Sequence, residues 1–196
     1  LACFSFYANK CITTGEGGIV LTSDEKAAQF MLALRNQGRA PGDTWLSHTY
    51  LGYNYRLDEM SAALGAVQMS RLEELLVKRE QVAGWYSERL AEIPGIEIPF
   101  VASSTTRMSW FVYVIRTPKG LDRDALAKRL EARGVPVRPY FLPIHLQPYM
   151  VERFGYRAGD FPATQLLSAR AGLHVLLLHL LRERLNASSG HARGVL

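Results

Sequence analysis

The chain has 196 residues, 48% of them hydrophobic, which suffices for a sizeable core and for one or two domains. Its formal charge of +5 does not imply a nucleic-acid partner, because the basic residues are scattered among Glu and Asp and form no block; a solvated surface is expected. The two cysteines, Cys3 and Cys11, form neither a secreted framework nor a zinc spacing, no charged-then-apolar leader opens the chain and no apolar run reaches about 18 residues, so we expect a cytoplasmic protein with reduced core cysteines, no membrane span and no metal site.

Phe4 and Phe6 alternate around Ser5 as in a strand, Ala8 and Asn9 break the pattern, and Ile19, Val20 and Leu21 make a second apolar run. Lys10 is therefore predicted on a turn between two buried strands. The glycines that follow, Gly15, Gly17 and Gly18, read two ways: as an ordinary tight hairpin, or as a clearing where a lysine amine meets a flat ligand close to backbone. Their spacing matches neither G-x-G-x-x-G nor G-x-x-x-x-G-K-[ST], so a phosphate loop is not indicated. Next, Ser23 or Asp24 is predicted to cap a helix with Ala27, Phe30, Met31 and Leu34 on one face, closed by Gly38. Residues 39–52, with Pro41, Gly42, Asp43 and Ser47, predict a surface loop anchored by Trp45 and Tyr50.

Asp58 is predicted to cap a long helix carrying Met60, Ala63, Leu64 and Val67 and continuing through Leu72, Leu75, Leu76 and Val82 toward Leu90. Unbroken, it would run about 50 Å and bridge two domains. Its small residues, Ser61, Ala62, Ala63, Gly65 and Ala66, predict close packing on a neighbour. Pro94 and Gly95 end it. Residues 110–115 predict a strand covered on both faces, Asp122 caps a helix with Leu121, Ala125, Leu126 and Leu130 that Gly134 ends, and 135–141 predicts another strand. This strand, helix, strand order predicts the core of a small α/β domain. In the tail, residues 173–185 form a helix candidate whose leucines encircle it rather than forming a stripe.

Four stretches resemble, in order, the motifs of the DegT/DnrJ-type sugar aminotransferases: SFYANK at 5–10 with TGEGG at 14–18, RNQGR at 35–39, LGYNYRLDEMSAALGAVQ at 51–68, and RPYFLPIHLQPY at 138–149. The resemblance implies a fold-type I α/β aminotransferase scaffold, truncated, with 1–78 the end of the large cofactor-binding domain and 79–196 a small C-terminal α/β domain. Roughly half of the parent would lie upstream of Leu1. From Ala169 the chain departs from the family pattern, and a shift of reading frame near Arg170 would account for it.

The cofactor implied is pyridoxal 5'-phosphate. A deprotonated lysine amine condenses with an aldehyde, and the resemblance makes Lys10 both its covalent anchor and the carrier of the proton. It assigns Ser5 to the cofactor phosphate, Asn54, with Arg56 as second choice, to the phosphate of the other subunit's cofactor, His145 to the substrate, and His48 as a weaker contact of the same kind. On the residues alone, Ser5 reads equally as a strand serine bonded to backbone, Arg56 as an ion-pair partner of Asp58 or Glu59, and His145 as a structural histidine. The activity implied is transfer of an amino group from glutamate to a keto group on a nucleotide-linked sugar, by a homodimer with composite active sites. A sugar dehydratase is the alternative enzyme, but relatives of that kind carry histidine where Lys10 stands; a truncated product or binding module without turnover is the non-enzymatic one. The family places the acid for the cofactor ring nitrogen, the stacking group and the rest of the phosphate cup upstream of Leu1, so this chain alone is expected to be inactive.

Overall fold

The computed structural model describes residues 1–135, 137–138 and 141–175, with side chains up to residue 169. The chain divides into two compact units, Leu1–Leu75 and Leu76–Leu196.

In the first unit, β1 (Ala2–Ser5) pairs antiparallel with β2 (Gly18–Leu21), with Phe4 opposite Ile19 and Ser5 opposite Gly18. The strands were expected to be buried and are not: Phe4 is 53% and Ile19 43% exposed. The sheet has two strands, and its apolar residues Phe4, Ile19, Val20 and Leu21 all stay exposed. Cys3 is likewise exposed and Cys11 half-buried, rather than core residues.

Asp24, and not Ser23, caps α1 (Glu25–Arg35), its carboxylate accepting from the Lys26 and Ala27 amides. The exit takes two residues of positive φ, Gln37 at 62° and Gly38 at 81°, and the Gly38 N–H returns to the Ala33 carbonyl at 2.8 Å. Gly38 has a second reason to be glycine, since a Cβ there would lie 1.7 Å from the Tyr50 carbonyl oxygen. The long helix is two: α2 (Glu59–Ser70), capped by Asp58, and α3 (Leu72–Leu90), separated at Arg71 with φ −103° and ψ 7°. The Ser70 hydroxyl donates to the Val67 carbonyl at 2.8 Å, a side-chain bond that competes with the helix ladder just where it bends. Neither effect has a signature in the apolar period.

The second unit holds β3 (Tyr113–Arg116), α4 (Arg123–Glu131), β4 (Val137–Arg138), a 3-10 turn (Ile144–Leu146), α5 (Pro148–Phe154), α6 (Pro162–Arg170) and β5 (Ala171–Val175). Strands β3 and β4 both run antiparallel to β5, which lies between them, with Val175 facing Tyr113 on one side and Val137 on the other. The predicted strand, helix, strand unit is thus a split βαβ whose middle strand comes from the tail. Residues 173–175, expected to open a helix, belong to that strand; 176–196 lie outside the described residues. The strand predicted at 110–115 begins three residues later, because Trp110 sits at φ 49°. Of the strand predicted at 135–141, Val137 and Arg138 form β4, whereas Phe141 has φ 38° and leaves it; 136, 139 and 140 lie outside the described residues.

The core of this unit is Ala83, Tyr113, Ile115, Leu126, Ala127 and Val137, ringed by Tyr86, Trp110 and Leu130 among others. Tyr113 is fully buried, and its phenol must be satisfied. The Ser87 hydroxyl spends its proton on the Ala83 carbonyl at 2.9 Å, so Tyr113 donates to the Ser87 oxygen, also at 2.9 Å. Burial pushes the Tyr113 phenol above its ordinary pKa of 10.0. Burial does the same to Tyr86, helped by the neighbouring Tyr113 charge. For a phenol whose folded pKa is raised, the stabilisation is complete below the unfolded value and is lost as pH rises through the folded one. Urea melts are therefore expected to show a stability constant to about pH 10 and falling above it. The fall should be shallower in Tyr113→Phe; equal slopes in the two proteins would refute the assignment.

Candidate active site

Lys10 lies half-buried on a loop whose shape comes from its own backbone and two threonines. The Lys10 N–H closes a turn onto the Tyr7 carbonyl at 2.9 Å, and the Phe6 N–H bonds the Gly17 carbonyl at 2.9 Å. The Phe6 carbonyl accepts both the Thr14 N–H and the Thr13 hydroxyl, each at 3.0 Å, while the Thr13 oxygen takes the Gly15 N–H at 2.9 Å. Thr14 is buried and donates its hydroxyl to the Glu16 carbonyl at 2.6 Å. Gly17, at φ 144°, leaves no room for a side chain: a Cβ would meet Thr14 Oγ1 at 2.6 Å and Leu57 Cδ1 at 3.0 Å. The loop is therefore braced from within, and Leu57 of the 51–68 motif seats on it.

Helix α2 braces the loop from outside. Gln68 Oε1 accepts the Thr13 N–H at 3.0 Å, and a Cβ on Gly65 would lie 3.0 Å from Thr14 Cγ2. The close packing predicted from the small residues of α2 is thus made, at Gly65, against the lysine loop. Gln68 itself was not foreseen; a single glutamine on a helix face carries no signal until the fold brings Thr13 beside it.

Ser5 ends β1 exposed, its hydroxyl oxygen accepting the Tyr7 N–H at 3.3 Å, so the hydroxyl proton remains for another acceptor. Asn54 and Arg56 stand on a segment hung from the end of α1. The last carbonyls of a helix have no partner inside it. Here Leu34 and Arg35 accept from the Tyr53 and Tyr55 amides at 2.8 and 2.9 Å, and the Gln37 N–H bonds the Tyr53 carbonyl at 2.8 Å. Gly52 permits this approach, since a Cβ there would fall 2.2 Å from the Gly38 nitrogen.

Arg56 Nε donates to Asn54 Oδ1 at 2.8 Å, and Arg56 makes no ion pair with Asp58 or Glu59 among the described residues. With its oxygen occupied, Asn54 offers its NH2, and Arg56 offers its terminal nitrogens. The start of α2 is not itself open to an anion: the Asp58 carboxylate already takes the Ser61 N–H at 2.9 Å, which holds that carboxyl below its ordinary pKa. An anion brought to this segment would meet side-chain donors rather than the helix amides.

His48 is exposed and donates from Nδ1 to the Gln37 carbonyl at 2.8 Å. Its loop turns on Asp43, whose carboxylate takes the Ala40 and Thr49 amides and the Thr49 hydroxyl; the Ala40 bond leads in holding that carboxyl below its ordinary pKa. The Arg39 guanidinium lies 4.2 Å from the Trp45 ring centre. His145 belongs to the second unit. It is buried on the 3-10 turn, its ring 4.7 Å from Phe161 and 6.5 Å edge-on to Tyr156, with Nε2 bonded to Gln165 at 2.9 Å. Among the described residues no cluster of His, Cys, Asp and Glu could hold a metal ion, and no helix is long and apolar enough to cross a membrane.

The DegT/DnrJ/EryC1/StrS aminotransferase family matches residues 1–184. Over 150 residues the chain is 41% identical to a GDP-perosamine synthase of Caulobacter vibrioides, covering 75% of this chain and 40% of that protein. It is 35% identical over 182 residues to the dTDP-3-amino-3,4,6-trideoxy-alpha-D-glucose transaminase of Streptomyces venezuelae, covering 89% of this chain and 46% of the relative. Among solved structures, S. venezuelae DesV is similar with a TM-score of 0.85 at 32% identity, over 98% of this chain and 50% of that one. The chain spans about half the length of the curated relatives it matches, and its fold is that part of a fold-type I aminotransferase.

The bracing of the lysine loop by α2 is testable without ligand. Gln68→Ala leaves the Thr13 amide without its acceptor, which costs about 1–3 kcal/mol where no water replaces it. Hydrogen exchange at Thr13 and Gly15 should quicken by about tenfold or more, while exchange at Ala33 and Gly38 stays as it was. Unchanged exchange at Thr13 would show that the loop holds itself.

Proposed function

The chain belongs to the DegT/DnrJ/EryC1/StrS aminotransferase family, and from that premise we propose that it is the lysine-bearing part of an enzyme that moves an amino group from glutamate to a keto group on a nucleotide-linked sugar. The family is pyridoxal-phosphate dependent. The relatives' names, a GDP-perosamine synthase and a dTDP-linked aminosugar transaminase, support the substrate class. In this reading the first unit closes the large domain and the second is the small domain, and the protein works in the cytoplasm as a homodimer.

The observation that carries the proposal is Lys10 on its braced, glycine-cleared loop. The donors of the first unit fit the cofactor by their chemistry: an amine for its aldehyde, and the Ser5 hydroxyl, the Asn54 NH2 and the Arg56 guanidinium for its phosphate. When bound, pyridoxal phosphate supplies the electron sink for the substrate carbon. Lys10 Nζ would hold the cofactor through its aldehyde, and the same amine, when free, would be the base and acid that moves the proton of the substrate carbon. A histidine at this position could carry the proton but could not anchor the aldehyde, which is why a lysine here favours amino transfer over dehydration. Ser5 and the Asn54–Arg56 pair hold the phosphate, the pair reaching across the dimer to the partner's cofactor. His145 and His48 contact the sugar substrate.

In the complete protein, borohydride should fix the cofactor onto Lys10. Lys10→Ala should abolish both this labelling and the release of 2-oxoglutarate from glutamate, and labelling of another lysine would remove the assignment. The composite site makes a second prediction. Mixing Lys10→Ala subunits with Asn54→Ala, Arg56→Ala subunits should recover activity, because one site of each mixed dimer collects both defects and the other none. Mixed dimers that form and stay inactive would place the pair on its own subunit's cofactor.

A further inference from the structure

His145 is 6% exposed and bonds through Nε2 to Gln165 Nε2 at 2.9 Å. The direction of that bond follows from the other end of the glutamine. Gln165 Oε1 accepts the Gly159 N–H at 3.2 Å, which only the oxygen of a carboxamide can do, so its NH2 end faces the imidazole. An NH2 donates. His145 Nε2 is therefore the acceptor, and the ring proton sits on Nδ1.

Nδ1 has no hydrogen-bond partner among the described residues, and it is not sealed in, for the buried side-chain nitrogen without a bond among them is Arg39 Nε. The Phe161 and Tyr156 rings lie beside the imidazole, and turning it to exchange its nitrogens would break the Gln165 bond. The result is a buried ring, oriented by that bond, with one donor left to give and no acceptor for it among the described residues.

We propose that Gln165 is a positioning residue that locks His145 as the Nδ1–H tautomer, so that this ring offers a donor to an acceptor oxygen of the sugar nucleotide. The identity of the substrate rests on the aminotransferase reading; the tautomer does not. A lock of this kind selects hydroxyl, carbonyl or phosphate oxygens with a lone pair to give and rejects an amino group, whose protonated form has none.

Gln165→Glu tests it with little change of shape. The carboxylate still accepts from Gly159 but turns an acceptor toward Nε2, which should then take the proton. Histidine-labelled 15N spectra of the complete protein, with His145→Gln to assign the ring, should show Nδ1 protonated in the unaltered protein and Nε2 protonated in Gln165→Glu. The KM for a GDP- or dTDP-linked keto sugar should rise about tenfold, the worth of one hydrogen bond, with kcat within about twofold. Gln165→Leu, which removes the lock without inverting it, should show both tautomers and an intermediate KM. An Nε2–H ring in the unaltered protein, or an Nδ1–H ring in Gln165→Glu, overturns the lock. An inverted ring with unchanged KM overturns the donor role. A protein that aminates no sugar nucleotide overturns the substrate reading, while the spectra still decide the tautomer.

Discussion

The carbonyls left over at the C-terminal end of α1 are the constraint on which the first unit depends. Leu34 and Arg35 have no helical partner, and the chain returns at Tyr53 and Tyr55 to satisfy them. The return is possible only because Gly38 and Gly52 let two backbones touch where any Cβ would overlap. Everything downstream inherits that position. Asn54 is set by the bonded amides of Tyr53 and Tyr55 on either side of it and Arg56 follows Tyr55, Asp58 starts α2 two residues later, and α2 in turn delivers Gln68 to Thr13. The lysine loop is thus shaped locally by its threonines but anchored through a helix end and a second helix, by residues far from it in sequence.

Where an element is specified by its neighbours in sequence, the sequence displays it. Asp24, Asp58 and Asp122 each cap the helix they precede, because a short carboxylate reaching the first amides is a local event. The apolar runs at Phe4 and Ile19 are strands, as their pattern requires, yet exposed, because a run of apolar residues states a need for cover and not what supplies it. The break at Arg71 lies beside a serine hydroxyl bonded to the helix backbone, and the apolar period passes through it undisturbed. Residues 173–175 belong to β5 and not to a helix start for a related reason: the strand sits between two others and carries no alternation of its own, and only β3 and β4 give it a partner on each edge.

The site divides in the same way. Lys10, Ser5, Asn54 and Arg56 stand out because a motif groups them, and the lysine because its glycines have a steric reason visible at Gly17. What the chain could not display is the set of partners: Arg56 bonded to Asn54 rather than to Asp58, Gln68 under the loop, and Gln165 behind His145. Each is a long-reaching or multivalent side chain with several bonds open to it, and the fold decides among them.

Two of those choices use one device. In Asn54 the carboxamide oxygen is occupied by Arg56, and in Gln165 by the Gly159 amide, so in both the NH2 is what remains. An amide with its oxygen engaged is a donor of fixed direction without a charge, which neither lysine nor a hydroxyl provides: the first is mobile and charged, and the second can reverse. The carboxylate of nearly the same shape would keep the first bond and invert the second. At Asn54 it would replace the remaining NH2 donor with a negative charge, and at Gln165 it would turn an acceptor toward Nε2 of a buried histidine. The amide is therefore selected in both units by the polarity it leaves over and not by the contact it makes, which is why neither residue can be read from its own bond alone.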